Sequence, residues 1–150
     1  MSFQIICVNI MGIGSNTKSS LRNKAIPSKI KELTASARYI PTLFLLVETK
    51  RKCISPAIKL PKGLKYLGES SGITAKAGIF AFHDNSLTIN DRKTDVCVIV
   101  SQYAMYIKIK SGETFYEIIC VYLPSETKHC LEVLKKIDKY IQTKNIKVFT

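Results

Sequence analysis

The sequence predicts a single α/β domain built around a mixed β-sheet, and three observations support this. The run from Thr42 to Val47 is apolar after its first residue and follows Pro41, which is typical of a short strand covered on both faces. A strand, a helical pattern and this run follow one another near the N-terminus, which predicts a parallel pair. Later strand-like segments joined by short turns predict antiparallel pairing.

Composition and charge narrow the class of protein. The chain has 150 residues, of which 46% are hydrophobic and 23% charged, as expected for one globular domain spanning residues 1–150. Its net charge of +12 favours anionic partners such as nucleic acid. No apolar run is long enough for a membrane span, and the N-terminus lacks the basic region of a signal peptide. We therefore expect an intracellular protein without a membrane partner.

The N-terminal elements place polar side chains at strand ends. Phe3–Ile10 is rich in β-branched residues and predicts a strand, with Asn9 near its end. Ser19–Tyr39 shows helical periodicity that Pro27 interrupts. Glu48 follows the central apolar strand directly, and open α/β sheets place their ligands at such carboxyl ends. The alternative interpretation of Glu48, a solvated residue at a strand end, stays open at this point.

The middle of the chain reads as a series of strands. A short strand is predicted at Leu64–Leu67, followed by a loop over Glu69–Thr74. Three of the later segments combine β-branched residues with turn residues at their ends. The predicted strands beyond the loop are Ala77–Phe82, Asp95–Val100, Ala104–Lys110 and Phe115–Val121.

Turns and a helix complete the prediction. Asp91–Thr94 reads as a turn, and Ser111–Glu113 fits a tight hairpin between the last two strands. Thr127–Gln142 carries an amphipathic helical stripe that Asn145 ends. Ile146–Thr150 predicts the start of a further strand.

The cysteines and histidines predict no metal site. The chain has five cysteines, an odd number, and none forms a Cys-x-x-Cys pair, so we expect reduced core residues. His83 and His129 have no partners at ligand spacing and are interpreted as surface residues. The cysteines are Cys7, Cys53, Cys97, Cys120 and Cys130.

Four short motifs, in order, resemble a known family. They are Asn9 with Gly12 after the first strand, Glu48-Thr49 after the buried strand, Lys76–Phe80, and Tyr122–Pro124. Their order and spacing resemble the N-terminal half of the endonuclease/exonuclease/phosphatase superfamily. Within it, the chain is most similar to the endonucleases of non-LTR (LINE-like) retrotransposons and to apurinic/apyrimidinic endonucleases. The resemblance implies the N-terminal part of a DNase I-like α/β sandwich with a mixed β-sheet.

The resemblance also implies roles for individual residues. Asn9 matches an asparagine that holds the active-site network, and Glu48 matches a glutamate that binds Mg²⁺ or Mn²⁺. Tyr122 matches a tyrosine that contacts the substrate phosphate. The neighbouring basic residues Lys50, Arg51 and Lys52 would suit a nucleic-acid backbone, while a solvated basic loop is an equally good interpretation of them.

The chain departs from the family pattern in two ways. Met11, Val47 and Ser125 stand where asparagine, glutamine and asparagine are usual. In the family, the strand beginning at Ile146 leads into Gly-Asp-x-Asn, and a Ser-Asp-His motif follows. The sequence ends at Thr150, so we expect a truncated domain that is inactive alone.

Three functional hypotheses follow. The first is Mg²⁺-dependent phosphodiester hydrolysis by a DNA endonuclease of a mobile element, whose partners would be DNA, the remainder of the domain and a reverse transcriptase domain. The second keeps the superfamily but takes an inositol phosphate or a lipid headgroup as substrate. The third is a non-catalytic basic module that binds nucleic acid through lysines alone.

Overall fold

A computed structural model describes residues 3–11, 28–35, 40–52, 57–73 and 76–145. These residues form a mixed α/β structure with two β-sheets, eight strands and three helical segments. The strands are β1 (Gln4–Asn9), β2 (Thr42–Val47), β3 (Leu64–Ser70), β4 (Ile79–Asp84), β5 (Leu87–Thr88), β6 (Val96–Val100), β7 (Ala104–Ser111) and β8 (Thr114–Val121). The helices are α1 (28–35), α2 (Arg92–Asp95) and α3 (Thr127–Lys144).

The first sheet is mixed, with the order β1-β2-β4-β3. Strands β1 and β2 are parallel, in a register that pairs Gln4 with Thr42 and Asn9 with Val47. Strand β4 is antiparallel to both β2 and β3. The predicted parallel pair and the predicted bounds of the Thr42–Val47 strand are therefore confirmed.

The second sheet is antiparallel and is centred on β7. Strand β8 pairs along the whole of β7, from Ala104 opposite Val121 to Ser111 opposite Thr114. Strands β6 and β5 share the other edge of β7. The predicted hairpin is present, and Gly112 takes the positive φ of 61° that its tight turn requires.

An apolar core fills the space between the two sheets. Alternate residues of β2 face the second sheet, because successive side chains of a strand point to opposite faces. The inter-sheet core is lined from the first sheet by Leu43, Leu45, Val47, Leu67, Ile79 and Ala81, and from the second by Met105, Ile107, Ile109 and Cys120, with Leu87 of β5.

Helices cover the outer face of each sheet. On the first sheet, Phe44 and Leu46 of β2 pack with Ile30 of α1. On the second, Val133 and Ile137 of α3 are buried among residues that include Ala104. The layers therefore run helix, sheet, sheet, helix. No helix in the described ranges is long and apolar enough to cross a membrane.

Strand β3 is longer than predicted and includes residues that were expected in a loop. Gly68 lies at a register shift, and a Cβ atom there would be 3.0 Å from Val96 Cγ1 and 3.1 Å from Met105 Cε. Glycine suits this position because the second sheet approaches so closely that an added Cβ would crowd both side chains. This contact joins distant parts of the chain, so local sequence patterns do not show it.

Two short elements replace predicted irregular structure. The predicted turn at Asp91–Thr94 contains the start of α2, which Asp91 caps by accepting a hydrogen bond of 3.1 Å from the Lys93 backbone N–H. Strand β5 was not predicted. The predicted strand at Ile146–Thr150 lies outside the described residues, as does most of the Ser19–Tyr39 helical pattern.

Replacing Leu45 by alanine tests the inter-sheet core. Leu45 is 2% exposed, so Leu45→Ala should lower the free energy of unfolding by about 2–5 kcal/mol. The matched change Leu131→Ala, at a side chain 53% exposed on α3, should alter it by less than about 0.5 kcal/mol. Urea unfolding measures both. Equal losses would contradict the packing described above.

Candidate functional site

Three strand ends meet at one edge of the structure. Because β1 and β2 are parallel, their carboxyl ends bring Asn9 and Glu48 to the same edge of the first sheet. The backbone N–H of Ile10 donates to the carbonyl of Val47 at 3.1 Å, which continues the pairing to this edge. Tyr122 follows β8 of the second sheet and reaches the same place.

The three predicted site residues lie close together at this edge. The backbone N–H of Met11 donates to Asn9 Oδ1 at 2.8 Å. Tyr122 lies close to the side chains of Glu48 and Asn9, and burial, followed by the Glu48 carboxylate, raises the pKa of Tyr122. Its hydroxyl therefore stays protonated beside the Glu48 carboxylate. The three residues to which the resemblance assigns roles therefore lie together, whereas their catalytic roles stay a prediction.

The backbone around Glu48 has an uncommon conformation. Glu48 and Lys50 have positive φ values of 56° and 52°. Two hydrogen bonds hold this segment in place. The Thr49 N–H donates to the Gly78 carbonyl at 3.3 Å, and the Lys50 N–H donates to the Ala77 carbonyl at 2.7 Å. The turn keeps Lys50 Nζ 3.8 Å from Glu48 Oε1.

Gln102 holds residues 76–78, the segment that supplies these two carbonyl groups. Its side-chain Oε1 accepts hydrogen bonds from the backbone N–H groups of Lys76 and Ala77, at 3.1 and 3.0 Å. Its own carbonyl accepts from Gly78 at 3.2 Å. Gln102 is 8% exposed, and its N–H donates to Ser70 Oγ at 2.7 Å. This buried network connects both sheets and positions the Lys76 backbone beside Glu48.

An open cleft of about 400 Å³ lies over these residues. Glu48, Lys50 and Lys76 line one part, and Tyr103 and Tyr122 line another. The remaining wall is residues 123–126 and 129, where α3 begins. Basic side chains and a helix N-terminus facing one cleft favour an anionic ligand.

Sequence reasoning missed two of these residues. Lys76 was seen only as the start of a predicted strand, and His129 was interpreted as a surface residue. His129 lines the cleft, and its ring meets the Tyr103 ring edge-on with centroids 5.0 Å apart. One signal was available in the sequence. His129 lies in the first turn of the helix that follows Tyr122–Pro124, and a helix that follows a site loop begins at the site.

Two expectations for charged or polar residues are wrong. His83 is buried in β4, 4% exposed, and its Nδ1–H donates to the Asp84 carbonyl at 2.7 Å. This burial lowers the pKa of His83. The Arg51 side chain is 3% exposed, and its Nε lies 2.7 Å from Glu69 Oε1. Arg51 therefore joins β3 to the segment after β2 rather than contacting nucleic acid.

The other two basic residues of that group differ from Arg51. Lys50 lines the cleft beside Glu48. Lys52 is exposed and forms an isolated parallel bridge with Gly72. Of the three predicted basic contacts, Lys50 is therefore the one at the site, Lys52 is accessible nearby and Arg51 is enclosed.

The carboxylate of Glu48 suits a hard cation. Magnesium prefers oxygen ligands and keeps several waters, so one or two carboxylates are enough to hold it. Asn9 Oδ1 accepts a hydrogen bond from the Met11 N–H, and Glu48 is the ligand that the resemblance implies. Within the described ranges, no three His, Cys, Asp or Glu side chains form a closed metal site. The donor set fits an open, largely hydrated Mg²⁺ rather than a structural metal.

Comparison with known proteins adds no family to this picture. No protein-family model matches the chain, and no curated protein matches its sequence. The motifs and the geometry of the cleft are therefore what indicate a function.

Gly78 packs against the turn that carries Glu48 and accepts a hydrogen bond from the Thr49 N–H. It has a φ of +122°, and a Cβ there would lie 2.4 Å from Thr49 Oγ1. Gly78→Ala should therefore lower the free energy of unfolding by more than about 1–2 kcal/mol, the cost of a left-handed alanine alone. Urea unfolding measures this loss.

Gly63→Ala is the matched control. Gly63 also has a positive φ, +95°, but its added Cβ would meet nothing within 4 Å. The control should show the conformational cost without the steric overlap. If the two variants lose the same stability, the contact between Gly78 and Thr49 is not a tight one.

Proposed function

We propose that this cleft binds a phosphodiester of DNA and contributes to its Mg²⁺-dependent hydrolysis, as in the DNase I-like fold that the motifs resemble. The observation that carries the proposal is the convergence of Asn9, Glu48 and Tyr122 beside Lys50 and Lys76. These residues come from distant parts of the sequence, and each lies at or near the end of a strand. Their meeting supports the superfamily assignment, which implies this chemistry.

The basic wall of the cleft is suited to a phosphate group. Lys50 and Lys76 supply positive charge, and His129 supplies a ring that can donate or accept a proton. The 18-residue helix α3 begins here, and the side chain of its N-cap residue Glu126 makes no capping hydrogen bond. Backbone N–H groups of the first turn are therefore available to an anion.

Glu48, on the acidic side of the cleft, has a different proposed role, which is to bind the metal ion. Glu48 would hold Mg²⁺, and the ion, when bound, would neutralise charge that develops on the phosphate. The protonated hydroxyl of Tyr122 lies beside Glu48, where it would donate to the carboxylate and fix its direction. Asn9 would hold Tyr122 in turn. Glu48 and Tyr122 are thus prepared before substrate arrives, which lowers the reorganisation required during the reaction.

Net charge supports DNA as the partner. A charge of +12 over 150 residues creates a positive field that raises the local concentration of a polyanion. Along the described surface, lysines of α3 add to those of the cleft. The open shape of the cleft also suits a continuous backbone better than an enclosed small molecule.

Binding to DNA should depend steeply on salt. Log affinity should fall with log salt concentration by about 0.9 for each phosphate neutralised. Lys76→Ala should weaken binding and reduce this slope by about 1, because Lys76 lies in the cleft. Fluorescence anisotropy of a labelled duplex measures both quantities.

Lys135→Ala is the control for charge alone, since Lys135 is exposed on α3 and does not line the cleft. It should change the slope much less than Lys76→Ala. Equal effects of the two variants would mean that DNA is bound by charge spread over the surface. Competition by a soluble inositol phosphate but not by DNA would favour the small phosphoester as substrate.

Hydrolysis is expected to be weak and to depend on Glu48. Among the described residues that line the cleft, the carboxylates are Glu48 and Glu126, and neither matches the aspartate that activates water in the family. Lack of such a group costs about 10²–10⁴-fold in rate. Residual Mg²⁺-dependent nicking of supercoiled plasmid should disappear in Glu48→Gln.

The matched control is Glu113→Gln, because the Glu113 side chain is 99% exposed on the β7–β8 turn. It should leave nicking unchanged. Nicking that survives Glu48→Gln would separate the reaction from this cleft and would overturn the proposed role of Glu48.

A further inference from the structure

The edge strands of the two sheets lie side by side. Strand β1 is the outer strand of the first sheet, and β8 pairs with β7 alone in the second. The rings of Phe3, just before β1, and Tyr116 in β8 stack with centroids 4.5 Å apart and an interplanar angle of 23°. This contact aligns the two strands across the inter-sheet core.

The alignment continues along both strands. Four residues after Phe3 is Cys7, and four residues after Tyr116 is Cys120. Strands advance by nearly the same distance for each residue, so these two residues lie opposite each other when both strands run in the same direction. Glu48 directly follows β2, which is parallel to β1, and Tyr122 directly follows β8. Both residues line the same cleft, so β1 and β8 run in the same direction.

We propose that Cys7 and Cys120 form a reversible disulfide that links β1 to β8 across the two sheets. The proposal depends on the alignment of β1 with β8, shown by the Phe3–Tyr116 pair and by the common end of the two strands, and not on the function proposed above. It also revises the expectation that all the cysteines are reduced core residues.

The two thiols differ in accessibility. Cys7 is exposed, so the prediction of a core position is wrong for this residue. Cys120 is 5% exposed and belongs to the inter-sheet core. A small oxidant can therefore reach Cys7 but not Cys120, which makes Cys7 the attacking thiol and Cys120 the resolving thiol.

The contact between the thiols favours this order. A hydrogen bond from Cys120, opposed by partial burial, lowers the pKa of Cys7 to about 7. The same hydrogen bond, together with burial, raises the pKa of Cys120. Near neutral pH a large share of Cys7 is therefore thiolate, while Cys120 remains protonated and donates its hydrogen.

The oxidation can proceed by exchange with a small disulfide such as glutathione disulfide. The Cys7 thiolate attacks one sulfur of the small disulfide, forms a mixed disulfide and releases one thiolate. Cys120 then loses its proton to solvent and attacks the Cys7 sulfur, which releases the second small thiolate. Two protein thiols have lost two protons and two electrons, and one small disulfide has become two thiols.

The attack by Cys120 on the mixed disulfide is easier than the raised pKa of Cys120 in the reduced protein suggests. Its pKa is raised chiefly by the hydrogen bond with Cys7. Once Cys7 is part of a mixed disulfide, the negative charge on its sulfur is gone and cannot oppose ionisation of Cys120. Burial is then the main remaining cause of a raised pKa.

The test is to oxidise the full chain with mixtures of glutathione and glutathione disulfide. After quenching in acid, free thiols are blocked with N-ethylmaleimide, and the digested protein is examined by mass spectrometry. The expected result is a dominant linked peptide pair joining Cys7 to Cys120, lost on reduction with dithiothreitol. Cys7 joined to another cysteine, or held only as a glutathione adduct, would overturn the proposal.

Single substitutions make the result specific. Cys7→Ser changes an exposed residue and should abolish the linked pair without affecting the fold, which circular dichroism checks. Cys130→Ser, at a partly exposed residue of α3, is the matched control and should leave the pair intact. Loss of the pair in both variants would count against a specific disulfide.

A second measurement needs no disulfide. The rate at which iodoacetamide alkylates Cys7 should rise with pH around a midpoint near 7. The midpoint should move upward in Cys120→Ala, which removes the hydrogen-bond donor, and should move less in Cys120→Ser, which keeps one. An unchanged midpoint in Cys120→Ala would show that the thiols are not in contact and would refute the pairing.

Discussion

The structure depends on one strand whose two faces are both apolar. All six residues of β2 are buried, and alternate side chains enter two different cores. A strand of this kind cannot have either face exposed to water without losing roughly 25 cal/mol for each Å² of apolar surface. The first sheet must therefore be covered on both sides. The second sheet meets this requirement on one side and α1 on the other, and α3 then covers the second sheet.

Layering of this kind also explains why the cleft lies where it does. Two parallel strands end at the same edge of a sheet, so β1 and β2 place Asn9 and Glu48 close to each other. The second sheet packs so that β8 runs alongside β1, and Tyr122 arrives at the same edge. The chemistry of the cleft is therefore a consequence of packing between sheets rather than of any single continuous motif.

Much of this arrangement can be predicted from the sequence because it is local or periodic. The bounds of β2, the parallel pair, the β7–β8 hairpin and α3 follow from hydrophobic patterns and turn residues. What could not be predicted depends on long-range contacts. The burial of Arg51 needs Glu69 of β3, and the placement of Lys76 needs the side chain of Gln102. The exposure of Cys7 likewise follows from the position of β1 at a sheet edge, which no pattern within β1 reveals.

At Glu48 the left-handed backbone conformation lowers stability, whereas the carboxylate side chain serves the proposed function. A glycine would adopt the φ of 56° without steric cost, whereas a residue with a side chain loses about 1–2 kcal/mol there. Selection for stability alone would consequently favour glycine and remove the carboxylate. Random mutagenesis screened only for thermal resistance is therefore a route to variants that fold better and have an empty cleft floor. A glutamate retained at this position under such a screen would itself indicate that the carboxylate contributes more than its backbone strain costs.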